Sequence, residues 1–293
     1  MPPIPDPAVL ARIDRLELDA RQVVEGYLSG RHRSPRHGFA VEFAQHREYV
    51  AGDDIKHIDW KVYGRTERYH LKQYEQETNL VAWLFVDASE SMAYGSASRT
   101  KYDLACLAAA AMAYLVLNQT DAVGVATLAG TPRAFLRPSG QITQLREACR
   151  VMAEGPFEGP AELGKVLNTL AARTGRRGIA FVFSDLLDDA ADILDGLQHL
   201  RYQKHEVVLF HTLDAAEIEF PFRHTTLFRG LEGLPEVLTD PPSIRESYLK
   251  AFNEHVSQIE AGCRAMEIDY VRLRTDGDLG RDLSSYLQKR QGT

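Results

Sequence analysis

The chain has 293 residues, 44% of them hydrophobic and 26% charged, with a formal net charge of −7. This composition excludes bulk disorder, collagen and low-complexity fibre, and the length fits one large α/β domain with additions or two modest domains. The acidic balance argues against a dedicated nucleic-acid binder, because neutralising phosphates needs a basic face. The three cysteines, at positions 106, 149 and 263, make no CxxC or Cys/His zinc spacing and read as free thiols of a reducing compartment. No apolar run reaches the roughly 18 residues of a membrane span. The first 21 residues carry charge throughout and have no signal core. A cytoplasmic protein without a membrane span is the expectation.

In chain order, a proline-rich start leads into an amphipathic helix over residues 8–28, with Val9, Leu10, Ile13, Leu16, Val23, Val24 and Leu28 at mostly helical spacing. Gly30 stops it. Residues 31–79 hold half of the histidines and the aromatics Trp60, Tyr63, Tyr69 and Tyr74; short strands are expected at Phe39–Phe43 and Tyr69–Tyr74. The run LVAWLFV at 80–86 is continuously apolar, as in a strand buried on both faces. A helix follows at 100–118, then strands at 123–128 and 134–136, and helices at 141–153 and 162–173. The runs IAFVF at 179–183 and VVLF at 207–210 are further buried strands, separated by a helix at 189–202. Residues 214–243 read as an insertion or hairpin. Helices at 244–262 and 279–289 flank a last strand at 268–273. Strands alternating with helices predict a doubly wound, mostly parallel sheet covered on both faces. The boundaries are an N-terminal helix and short-strand region over 1–79 and an α/β domain over 80–293.

Ligands of such sheets sit beyond the carboxyl ends of the strands, at the topological switch point. The first run ends in Asp87-Ala88-Ser89-Glu90-Ser91 and the second in Ser184-Asp185. Asp87, Ser89 and Ser91 offer three oxygens from one loop and Asp185 another carboxylate, a set suited to a hard cation such as Mg²⁺ or Mn²⁺ that keeps several waters. The rival reading is a helix-capping loop, in which the hydroxyls serve backbone N–H groups.

D-x-S-x-S after a first buried strand is the pattern of the metal-ion-dependent adhesion site, and from Leu80 to Leu287 the chain resembles von Willebrand factor A-type domains. Arg47-Glu48-Tyr49-Val50-Ala51-Gly52-Asp53-Asp54, then Ile58-Asp59-Trp60 and Tyr74-Glu75-Gln76-Glu77, sharpen this to a resemblance to the domain-of-unknown-function 58 family. The resemblance implies a Rossmann-like fold, a MoxR-type AAA+ ATPase as partner, and an acidic side chain of that partner completing the metal site. It also implies a departure: the position aligned with the family's coordinating Thr is Ala161, which cannot ligate, with Glu158 and Glu162 as nearby substitutes.

Two function classes follow. One is a non-catalytic adaptor or co-chaperone. The other is a Mg²⁺-dependent phosphatase with Asp87 as nucleophile, whose D-x-D acid partner is here replaced by Ser89. No phosphate loop, dinucleotide fingerprint, nucleophile elbow or zinc helix occurs in the sequence. Asp53 and Asp54 form a turn with a second reading as a partner contact. Arg31, Arg33 and Arg36 form a short basic loop, or a docking patch for an acidic partner. Asp59 and Trp60 read as a structural anchor, and the histidines of 32–70 have no compact metal spacing.

Overall fold

The computed structural model describes residues 7–29, 43–48, 63–64, 69–74, 80–175, 177–233 and 235–291. The chain divides into two compact units, one of residues 33–80 and one of residues 1–32 with 81–293. Helix α1 (Pro7–Ser29) therefore goes with the large sheet rather than with the short-strand region that follows it in sequence. In the small unit, β1 (Phe43–Glu48) and β2 (His70–Tyr74) pair antiparallel. The expected strand at Phe39–Phe43 falls almost wholly outside the described residues. So do Arg31, Arg33, Arg36, Asp53, Asp54, Asp59 and Trp60.

The large unit runs β3 (Val81–Asp87), α2 (Lys101–Leu117), β4 (Ala122–Ala129), β5 (Thr131–Ser139), α3 (Gln144–Met152), α4 (Leu163–Ala171), β6 (Gly178–Ser184), α5 (Ala190–Tyr202) and β7 (His205–Leu213). Then come α6 (Ala215–Glu219), the hairpin of β8 (Thr226–Phe228) and β9 (Val237–Thr239), α7 (Pro241–Ala265), β10 (Asp269–Arg274) and α8 (Leu279–Gln291). The sheet order is β10-β7-β6-β3-β4-β5. Every pairing is parallel except β4 with the edge strand β5. The chain winds outward from β3 in one direction, then returns to β6 and winds outward in the other. The switch point is the crevice between β3 and β6.

The apolar runs are continuous because each strand feeds two cores by the period-2 alternation of a pleated strand. Leu84, Val86, Phe181, Phe183 and Phe210 enter one cluster with α1, α2, α3 and α8. Trp83, Phe85, Ala180, Val182 and Leu209 enter the other with α4, α5 and α7. Helix α2 is apolar around nearly its whole circumference, as a helix must be when it is buried on all sides. It lies in the first cluster together with Ile13, Ala20 and Val24 of α1. On the opposite face α4 and α5 approach backbone to backbone at Gly164 and Gly196. A Cβ on Gly164 would stand 2.2 Å from the Asp192 carbonyl oxygen, so only glycine fits there.

Candidate functional site

Three neighbouring strands end in carboxylates at the same edge of the sheet. Asp87 closes β3, Asp185 follows β6 and Asp214 follows β7, and all three side chains are buried. Asp87 and Asp185 thus flank the switch point. The two loops are stitched together: the Ser184 hydroxyl donates to Asp87 Oδ2 at 2.5 Å and accepts from the Leu186 amide at 3.0 Å. Leu186 sits in the left-handed region at φ 56°, a backbone conformation costly for a branched side chain. That turn sets Asp185 at the strand end. His211 of β7 supports it, with Nε2 2.9 Å from the Asp185 carbonyl oxygen and Nδ1 2.5 Å from the Tyr270 hydroxyl. Burial holds His211 neutral, with its pKa lowered to about 3.

Asp87 Oδ1 accepts the Ser89 amide at 3.0 Å, and the Ser89 and Ser91 hydroxyls lie 3.1 Å apart. Both serines are buried. Burial first, and the Asp185 charge second, push the Asp87 carboxyl up to about 7, against the hydrogen bonds from Ser184 and Ser89. The four residues named from the sequence, Asp87, Ser89, Ser91 and Asp185, are all buried, and the Asp185 charge acts on the Asp87 carboxyl.

The side chain that sequence reasoning missed is Lys101. It is wholly buried at the start of α2, a start fixed by a capping box in which the Thr100 hydroxyl accepts the Asp103 amide and the Asp103 carboxylate accepts the Thr100 amide. Its ammonium donates to Asp185 Oδ2 at 2.7 Å and to Glu217 Oε1 of α6 at 2.5 Å. Burial works against its charge, but the two carboxylates win and its pKa rises. Burial also pushes Glu217 up, with Lys101 pulling it back. Asp214, also missed, followed the same rule as Asp87, an acid after an apolar run. It accepts from the Ser96 amide at 2.9 Å and the Thr275 hydroxyl at 2.7 Å. Burial raises it, yet these hydrogen bonds leave it below the usual carboxylate value.

The all-oxygen donor set fits a hard divalent cation. Asp185 Oδ1 is buried with no hydrogen-bond partner, and among the described residues no cation pairs with Asp87. Among the described residues no three His, Cys, Asp or Glu side chains gather into a metal cluster. An ion here would rest on two carboxylates and two hydroxyls, with waters filling the remaining positions. Of the two expected substitutes for the missing Thr, Glu158 is exposed on a loop whose Gly159 carbonyl accepts the Glu90 amide at 3.1 Å, and Glu162 pairs with Lys165 at 2.5 Å. Ala161 is buried in the second apolar cluster.

The family profile "Protein of unknown function DUF58" matches residues 45–258. The chain belongs to the DUF58 family. Similar to this DUF58 chain are "Uncharacterized protein Rv1480" of Mycobacterium tuberculosis (strain ATCC 25618 / H37Rv) and "Uncharacterized protein Mb1516" of Mycobacterium bovis, each 30% identical over 295 residues, covering 98% of this chain and 92% of the relative. Similar solved structures include the conserved hypothetical protein BatB from Bacteroides thetaiotaomicron, with TM-score 0.45, 14% identity, 73% of this chain and 100% of that chain covered. Another is the SpRpn10 VWA domain, with TM-score 0.42, 16% identity, 71% and 95% covered. The fold of this DUF58 chain is a doubly wound, mostly parallel sheet with D-x-S-x-S directly after β3. None of its described helices is long and apolar enough to cross a membrane.

Proposed function

We propose that this DUF58 protein is a non-catalytic interaction module, an adaptor or co-chaperone for a MoxR-type AAA+ ATPase, that grips a partner at the switch point. The observation that carries this reading is the burial of Asp87, Ser89, Ser91 and Asp185 at the ends of two adjacent strands that flank the switch point. Asp87, Ser89, Ser91 and Asp185 would hold Mg²⁺ or Mn²⁺, and the bound ion supplies a coordination position that an acidic side chain of the partner fills. Burial strengthens such a contact, because a charge pair in a low-dielectric pocket is screened far less than one in water. A pull-down with wild type and Asp87→Ala tests it. Recovery of the ATPase by wild type alone is the expected result; equal recovery, or none, overturns the reading.

The phosphatase reading has one observation behind it, a buried Asp after the first strand. Against it, Ser89 stands where the acid that protonates a leaving group would be needed, and a hydroxyl cannot serve as that acid near neutral pH. Turnover of p-nitrophenyl phosphate with Mg²⁺ by wild type, abolished in Asp87→Asn, would reverse the preference.

A further inference from the structure

The segment between α6 and α7 is anchored at its base and reaches the pocket at its tip. At the base, Phe220 stacks on Phe228 at 5.8 Å and packs against Tyr248 of α7 at 4.5 Å, with Phe222 edge-on to both phenylalanines. Such an aromatic cluster is a firm footing. The tip joins β8 to β9 and carries Glu232 and Gly233 in consecutive left-handed conformations, φ 59° and 80°. The first of these is unfavourable for a residue with a side chain, so something at the tip must hold it.

What holds it is the D-x-S-x-S loop. The Glu232 amide donates to Glu90 Oε2 at 3.0 Å, across 142 residues of sequence. Burial pushes the Glu232 carboxyl above its ordinary value, with Ser91 pulling it back and the Asp185 and Asp188 charges adding to the rise. Glu232 Oε1 is buried without a hydrogen-bond partner, as is Asp185 Oδ1 of the same pocket. A carboxylate from this chain thus sits against the residues that would receive one from outside.

We infer that the tip at residues 229–233 is a closure of the site: it is latched to Glu90, the neighbour of Ser91, through the Glu232 amide, and the site opens when the tip lifts. This rests on the interaction-site reading above, and its test is independent of any partner or metal. The three native cysteines are buried, and burial pushes each thiol up to about 12, so a cysteine placed at position 91 is the thiol that reports on access. Ser91→Cys is alkylated with iodoacetamide, alone and combined with Glu232→Ala, and followed by mass. The expected result is slow labelling of the single variant and at least tenfold faster labelling of the double variant. Equal rates, or fast labelling of both, overturn the closure. Hydrogen exchange of Glu232→Ala with an intact Ser91 guards against an effect of the cysteine. Faster exchange over residues 229–239 with β3 and β6 unchanged supports the closure, and unchanged exchange there overturns it. A failed pull-down removes the proposed partner and leaves the closure standing; equal labelling removes the closure and leaves the partner standing.

Discussion

Asp87 is the last residue of β3 and Asp185 the first after the neighbouring β6, and both are buried, yet their charges are handled in opposite ways. Asp185 has an internal counter-ion, the Lys101 ammonium at 2.7 Å. Asp87 has hydroxyl and amide donors only, and burial with the neighbouring Asp185 charge lifts it to about 7. One half of the pocket is electrically finished by the fold and the other is left open. The difference locates where an added positive charge would be most useful, which is beside Asp87, and assigns Lys101 to structure.

The largest way to break the contrast is to remove the internal cation. Lys101→Met leaves Asp185 and Glu217 buried without it, and loss of one partner from a buried ion pair destabilises by about 3–5 kcal/mol. Urea denaturation should show that loss, and adding Asp185→Asn and Glu217→Gln should restore most of it. A Lys101→Met protein as stable as wild type would mean that the ion pair does not hold these elements together.

A smaller effect comes from neutralising the other half. Because the folded value for Asp87 lies above its ordinary value, the folded chain keeps a proton that the unfolded chain has lost between about pH 4 and 7. The contribution is fully present below that window and disappears as pH rises through about 7. Asp87→Asn mimics the protonated form, so it should match wild type near pH 4 and become progressively more stable than wild type as pH rises to 8. His211, depressed to about 3 by burial, acts in the other direction as pH falls through its ordinary 6.5. It is common to both chains and cancels in the difference. A constant gap between variant and wild type across the pH range would contradict the raised Asp87.

The smallest expected effect sharpens the comparison. Mg²⁺ at about ten times its dissociation constant adds roughly 1.4 kcal/mol, a rise of about 2–4 °C in Tm. The rise should be larger at pH 8 than at pH 5, where a proton competes for Asp87, and absent in Asp87→Asn. An equal rise in that variant would place the ion elsewhere.

Much of this was legible in the sequence for a definite reason. LVAWLFV, IAFVF and VVLF are uninterrupted because both of their faces are covered, and the residues after them mark the ligand edge of the sheet. β5 was harder. It runs over nine residues, Thr131–Ser139, but as a half-exposed edge strand with two prolines it left only Ala134–Leu136 visible as a short apolar patch. Lys101 was illegible because a lysine beside an N-cap ordinarily points to water, and only the packing of α2 under the site buries it. Glu232 was illegible because its role depends on a tip that folds back across 142 residues, and local periodicity carries no trace of that.

Helix α2 has an apolar surface on nearly every side, and α1 joins the same cluster through Ile13, Ala20 and Val24. A version trimmed to begin at β3 would keep every residue of the pocket and still be a poor reagent. An alanine- and leucine-rich flank would be stripped bare, and such molecules stick to one another. The opening helix is in effect a built-in coat for the platform, and binding work on this protein should leave it in place.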